Sequence, residues 1–342
     1  MKDTFKTASF ISGRAAAGLD PTVSYSATRL RRVVNPAWNF TPPYSFQGST
    51  SGYTSGGTQN PPAYNIIDKF PFASNANATD VGDLTAVKYD ATGQSSSTSG
   101  YTSGGVLVLN NTIEKFPFAS NANATDVGDL TQGRDLPAGQ SSSTSGYTSG
   151  GNTPPAPTPT VYVNTIDKFP FASDANATDV GDLTQARNGP VGQTSSTSGY
   201  SSGGIVLVPA VTRVNIIDKF PFATNANATD VGDLSLIRQS GGGQNSSTDG
   251  YFSGGTDGPD YSNIIDKFPF ASDANATDVG DLTQARYKAA GQSSTASGYT
   301  SGGSDPTFYT NIIDKFPFAS NANATDVGDL TVRRWGVAGQ QV

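Results

Sequence analysis

Apolar residues in this chain come in short bursts separated by small polar residues, and the bursts repeat. The strongest burst, "NIIDKFPF" at 65–72, returns with little change five more times, with the first Phe of "KFPFA" at Phe70, Phe116, Phe169, Phe220, Phe268 and Phe316. Before each burst stands a small-residue stretch of the type "GYTSGG", with its tyrosine at Tyr53, Tyr101, Tyr147, Tyr200, Tyr251 and Tyr299. After each comes "ATDVGDL", with its first aspartate at Asp80, Asp126, Asp179, Asp230, Asp278 and Asp326. The tyrosines are spaced 48, 46, 53, 51 and 48 residues apart. Short strands recurring at such a period predict propeller blades.

Each repeat divides into four strands: a ("GQSSST"), b ("GYTSGG"), c ("NIIDKFPF") and d ("ATDVGDLTQAR"). The predicted fold is all-β, a six-bladed β-propeller of four-stranded antiparallel blades over residues 46–342, preceded by an arm over 1–45. The repeats begin just before strand b, at "QGSTSGYTSGG", and end within strand a, at "GVAGQQV". First and last strands are therefore expected to share one composite blade, which removes exposed sheet edges. Diglycines supply turn geometry, and small residues in strand a suit a crowded centre. Ile66, Phe70 and Phe72 are expected between blades. Pro71 and its copies, lacking an N–H, should end or bulge strand c.

Variation is confined. From the "KFPF" phenylalanine to the next "GY" tyrosine the distance is always 31 residues, whereas from that tyrosine to its own "KFPF" it is 17, 15, 22, 20, 17 and 17. All length variation thus falls between b and c. A second variable patch of fixed length lies between d and a: "YDAT", "DLPA", "NGPV", "QSGG", "YKAA", "WGVA". In an up-and-down blade these two connections share one face, so one face is individualised and the other uniform. Binding residues concentrate in loops on a rigid scaffold. The candidate binding residues are Tyr64, Tyr89, Tyr162, Tyr261, Tyr287, Phe308, Tyr309 and Trp335, whose aromatic rings suit sugars or protein surfaces.

Composition narrows the chemistry. The chain of 342 residues has no cysteine and no histidine, which excludes disulfides, thiolate chemistry, His-ligated metals and His acid–base catalysis. It has no apolar run long enough for a membrane span and no continuous apolar segment of a signal peptide near its start. Residues 1–45 hold six basic and two acidic residues, a net +4, against 15 basic and 26 acidic in the rest, a net −11. A basic arm leads an acidic body, and Arg29, Arg31, Arg32 and Trp38 are its candidate anchoring residues.

A basic residue follows each "DL" at a fixed distance: Lys88, Arg134, Arg187, Arg238, Arg286 and Arg334. Pairing with a repeated aspartate is the expected role, ahead of a ligand-facing ring of cations. "DANATDVGD" at 174–182 opens like a calcium loop, but the sixth position is Asp179 rather than Gly and the twelfth is Gln185 rather than Glu. An Asx-rich turn is expected there. No metal site and no cofactor is assigned. Asp90, Asp135, Asp257, Asp260 and Asp305 are the variable-loop carboxylates open to catalysis, and they form no motif.

The Gly-Tyr strand ending in Gly-Gly, the apolar strand after it and the Arg after an outer strand resemble a diverged kelch repeat without the kelch tryptophan. The longer string "KFPFASDANATDVGDLTQAR…AGQSS…SGYTSGG" resembles tandem repeats in virion structural proteins of marine tailed phages, notably cyanophages, over residues 46–342. That resemblance implies a non-enzymatic component of the virion exterior, an appendage, fibre or decoration, made in the host cytoplasm. The expected partners are other virion proteins through residues 1–45 and a host-surface glycan or protein at the variable face. A second copy of the chain is a further candidate partner, and no nucleic acid is expected. A glycan-degrading enzyme on a propeller scaffold and a bacterial surface adhesin are the alternatives.

Overall fold

A strand buried on both sides shows no alternation, and strand b is of this kind: Ser51–Ser55 is buried at all five positions. The computed structural model describes residues 47–106, 111–153, 161–207 and 210–342. These form six four-stranded antiparallel blades and two short hairpins. In the second blade, strands a to d are Thr92–Ser95, Ser99–Ser103, Thr112–Pro117 and Thr125–Asp129, paired in that order. The next four blades repeat this arrangement, with strand a at Ala138–Ser141, Val191–Thr194, Gly242–Asn245 and Ala290–Ser293. The first blade is composite: Ala338–Gln341 pairs with Ser51–Ser55, followed by Ile66–Pro71 and Thr79–Asp83. The protein is a six-bladed β-propeller, closed by its C-terminal strand as the chain ends predict. Every strand c ends at its proline. The arm, with Arg29, Arg31, Arg32 and Trp38, lies outside the described residues.

Six equivalent cores sit between blades. One holds Tyr53, Ile67 and Leu84 of the first blade against Phe116, Phe118 and Ala124 of the second. Tyr53 packs on Phe118 with ring centroids 4.9 Å apart. The predicted core residue Ile66 is only half-buried, and Ile67 takes its place at 0% exposure. A register shift between Ile67 and Asp68 relative to strand d accompanies burial on both faces. Ile67 points toward the second blade, while Phe70 joins Tyr299 and Ile313 of the sixth.

The blades are also stapled by polar groups. Lys88, leaving strand d of the first blade, pairs at 2.5 Å with Glu114 on strand c of the second. Arg134–Asp167, Arg187–Asp218, Arg238–Asp266, Arg286–Asp314 and Arg334–Asp68 continue the circuit. Each carboxylate also accepts a backbone N–H from the residue after "DL", such as Thr184 to Asp218 at 2.9 Å. At the centre, the Gln of each strand a donates its amide to the "GY" tyrosine carbonyl of the next blade, from Gln94 to Tyr147 at 3.0 Å round to Gln340 and Tyr101 at 3.0 Å. Residues small enough for such approach are required. A Cβ on Gly93 would lie 2.1 Å from the carbonyl oxygen of Gly339, and Gly139, Gly192, Gly243, Gly291 and Gly339 meet their neighbours in the same way.

The outer strands link around the rim. Ala124 N–H donates to Asp83 O at 2.7 Å, and Asn123 Oδ1 accepts Asp83 N–H at 3.1 Å. The calcium-like stretch is used this way. Asp179 Oδ1 accepts Gly181 N–H, Asn176 Oδ1 accepts Asp129 N–H, and Asp174 pairs with Lys115, each at 3.1 Å. It is an Asx-rich turn and blade clasp.

Candidate binding face

The two variable connections meet on one face, and the backbone ties them together. The first residue of each d–a patch bridges the residue just after a diglycine: Trp335 with Thr58, Tyr89 with Val106, Asp135 with Asn152, Asn188 with Ile205, Gln239 with Thr256 and Tyr287 with Ser304. The diglycines reach this position through positive φ, 66° and 104° at Gly56 and Gly57, which favours glycine.

The second residue of each patch builds a ring around the axis. Asp90 N–H donates to Gly336 O, Leu136 to Asp90, Gly189 to Leu136, Ser240 to Gly189, Lys288 to Ser240 and Gly336 to Lys288, all within 3.0 Å. All six residues adopt left-handed backbone, with φ between 49° and 66°. This closed ring of peptide hydrogen bonds forms a floor, from which Asp90, Leu136, Ser240 and Lys288 carry side chains. Gly189 and Gly336, on opposite sides of the ring, carry none. Asp90 Oδ1 lies 2.7 Å from where a Gly336 Cβ would be, and Ser240 Oγ lies 2.7 Å from the same point on Gly189.

The bridging residues around this floor divide into halves. Tyr287, Trp335 and Tyr89 make one arc, and Asp135, Asn188 and Gln239 make the other. Loop tyrosines extend the aromatic arc: Tyr261 packs on Tyr287 at 4.7 Å and Tyr309 on Trp335 at 6.3 Å, while Tyr89 meets Trp335 edge-on at 5.6 Å. Lys288 Nζ sits 4.2 Å from the Trp335 ring centroid and donates to Asp90 Oδ2 at 2.8 Å.

Charge here is poorly solvated. Burial pushes Asp90 above the usual carboxylate range, opposed by Lys288. Burial and then the Asp90 charge push Asp135 up to about 6. Tyr287 is pushed up to about 12 by burial and then by Tyr261. Several buried polar atoms have no hydrogen-bond partner among the described residues: Asp90 Oδ1, Asp135 Oδ1, Asn188 Oδ1, Gln239 Oε1, Ser240 Oγ and Trp335 Nε1. Such atoms are uncommon in folded proteins, and each calls for an explanation.

Of the eight predicted residues, the structure brings together Tyr89, Tyr261, Tyr287, Tyr309 and Trp335. Tyr64 is half-buried, its N–H donating to Gly57 O. Tyr162 pairs with Asn152, the residue bridged to Asp135, and so lies on the polar side of the ring rather than in the aromatic arc. Phe308 is 71% exposed at a loop tip. Among the catalytic candidates, Asp90 and Asp135 come within electrostatic reach of each other, whereas Asp257 and Asp260 line a separate cleft with Leu236, Ile237 and Tyr261. Of the polar arc, the sequence singles out only Asp135, as one of five scattered carboxylates; Asn188, Gln239 and Lys288 are additions of the structure. Their only sequence signal is that the d–a patches have fixed length while their residues differ. Among the described residues no Asp/Glu group is arranged to hold a metal ion. Comparison of the sequence with protein-family models and with curated proteins found no match.

Proposed function

We propose that this chain is a non-enzymatic structural protein of a phage particle, anchored by residues 1–45 and presenting its variable face to a host-surface glycan or protein. One observation carries this reading. Gln47 and Gly48, where the described chain begins, lie at the end of the axis opposite the variable face: Gln47 Nε2 donates to Ser294 O at 3.1 Å and Gly48 N–H to Ser293 O at 2.7 Å. Ser293 ends strand a, on the uniform side. The described chain therefore enters the propeller on the side opposite its individualised face, which supports tethering on one side and display on the other. Removing residues 1–45 is expected to leave a folded propeller with an unchanged melting temperature that no longer enters particles. Normal incorporation of the shortened chain, followed by electrophoresis of purified particles, overturns the anchoring role.

The proximity of Asp90 and Asp135 favours a second reading, a glycan-cleaving enzyme, because glycosidases use carboxylate pairs. Against it, Asp90 is committed to Lys288. Release of new reducing ends from host polysaccharide decides for catalysis.

A further inference from the structure

We infer that the axial mouth of the variable face is a sugar-binding site, in which one neutral or amine-bearing sugar residue stacks on the Trp335 arc and donates hydroxyl or amine protons to the Asp135–Asn188–Gln239 arc. This rests on the reading of the variable face as a recognition surface, and it names the ligand class and the centre of recognition.

Three observations meet here. The six bridging positions are split into contiguous aromatic and amide or carboxylate halves, the pairing of apolar face and hydrogen-bonding edge that a pyranose presents. The polar half is left wanting donors: Asp135 Oδ1, Asn188 Oδ1 and Gln239 Oε1 are all unpartnered, as are Asp90 Oδ1 and Ser240 Oγ over the floor. Asp90 is 6% exposed and Gln239 is 9% exposed, whereas Asp135 and Asn188 are half-buried as residues, with the named oxygens themselves shielded from solvent. Their cost is offset when a ligand supplies the missing bonds. On the aromatic half, Trp335 Nε1 is an unpartnered donor that a ring or hydroxyl oxygen can accept. The backbone ring and the bridges hold both halves in place before binding, which lowers the ordering cost.

Charge sets the selectivity. Among the described residues, the cation acting on Asp90 and Asp135 is Lys288, already paired with Asp90. Uronic, sialic or sulfated sugars bring a further negative charge beside these carboxylates and should be rejected. Neutral and amine-bearing sugars are not.

The test uses the only other tryptophan, Trp38, as reference. In a ¹⁵N-labelled full chain the Trp335 indole N–H signal is assigned by its disappearance in Trp335→Phe. Methyl glycosides of glucose, galactose, mannose, glucosamine and glucuronic acid are titrated in. At least one of the first four should shift the Trp335 signal and leave Trp38 still, with glucuronide at least tenfold weaker. Asp135→Ala and Gln239→Ala should each weaken that binding tenfold or more without lowering the melting temperature. The site is overturned if no glycoside moves Trp335, if glucuronide binds best, or if the two variants bind as well as the parent. Host-cell binding by the fluorescently labelled chain separates this from the broader reading. Binding that survives Asp135→Ala and Gln239→Ala but is lost when the b–c loops are replaced by "TDGPDYS" defeats the sugar site alone. Binding that survives both changes defeats the recognition role of the face.

Discussion

Asp135 shows how one residue can be held at a cost to the fold. Its carboxyl is pushed up to about 6 by burial and by Asp90. A carboxyl with a raised folded pKa favours the protonated state, so its stability is present at low pH and is lost as pH rises from about 4 through about 6. Asp135→Asn should therefore stabilise the propeller at pH 8 and have little effect at pH 4. The shift corresponds to at most about 3 kcal/mol, and partial exposure screens this to about 1 kcal/mol, or about 1–2 °C. Thermal melts at the two pH values check it, and equal effects at both would remove the proposed cause. The buried ion pairs argue differently. The one lysine of that series, Lys88, faces the one glutamate, Glu114, so a shorter cation meets a longer acid across the same gap. Glu114→Asp alone should cost on the order of 3 kcal/mol by leaving a buried charge unpaired. Adding Lys88→Arg restores the pair used elsewhere and should recover stability to within about 1 kcal/mol. A double-mutant cycle in urea reads this directly.

At the level of elements, strand a is the most constrained. Its glycine leaves no room for a side chain against the neighbouring strand, and its glutamine holds the next blade's tyrosine carbonyl. Gly93→Ala should cost about 3 kcal/mol through overpacking and lower the melting temperature by about 5 °C. An unchanged melt would mean that the ring expands freely at its centre. Strand c illustrates the opposite limit of sequence reading. Period two placed Ile66 beside Phe70, yet burial on both faces and a shifted register made Ile67 the core residue.

For the whole molecule, closure is the decisive contact. Ala338–Gln341 supplies the innermost strand of the first blade and, through Gln340, a bond to Tyr101 of the second. Deleting residues 338–342 should expose the edge of Ser51–Ser55, abolish cooperative melting and drive self-association, as followed by size-exclusion chromatography. A shortened chain that elutes in the same assembly state as the parent, with the parent melting temperature, would show that the other five blades suffice.

The repeat alone determined the fold, because six copies of one four-strand unit can bury both faces of each strand only against one another. It also located the individualised face, since length varies only between b and c and identity changes again between d and a. It named five of the aromatics that meet there. The tertiary structure decided which of these residues share a site. Tyr64 and Phe308 sit in b–c connections as long as those of Tyr261 and Tyr309, but one residue off the position that bridges the residue after the diglycine, where Ala63, Tyr261 and Tyr309 stand. Tyr162 takes that bridging position in its own blade, beside Asp135 rather than the aromatic arc. Asp135, Asn188 and Gln239 come from three blades, separated by about fifty residues each in sequence. They form an arc only because the ring turns corresponding positions toward a common centre. Their orphaned oxygens are a property of burial and partner geometry, and no single segment of the chain encodes either.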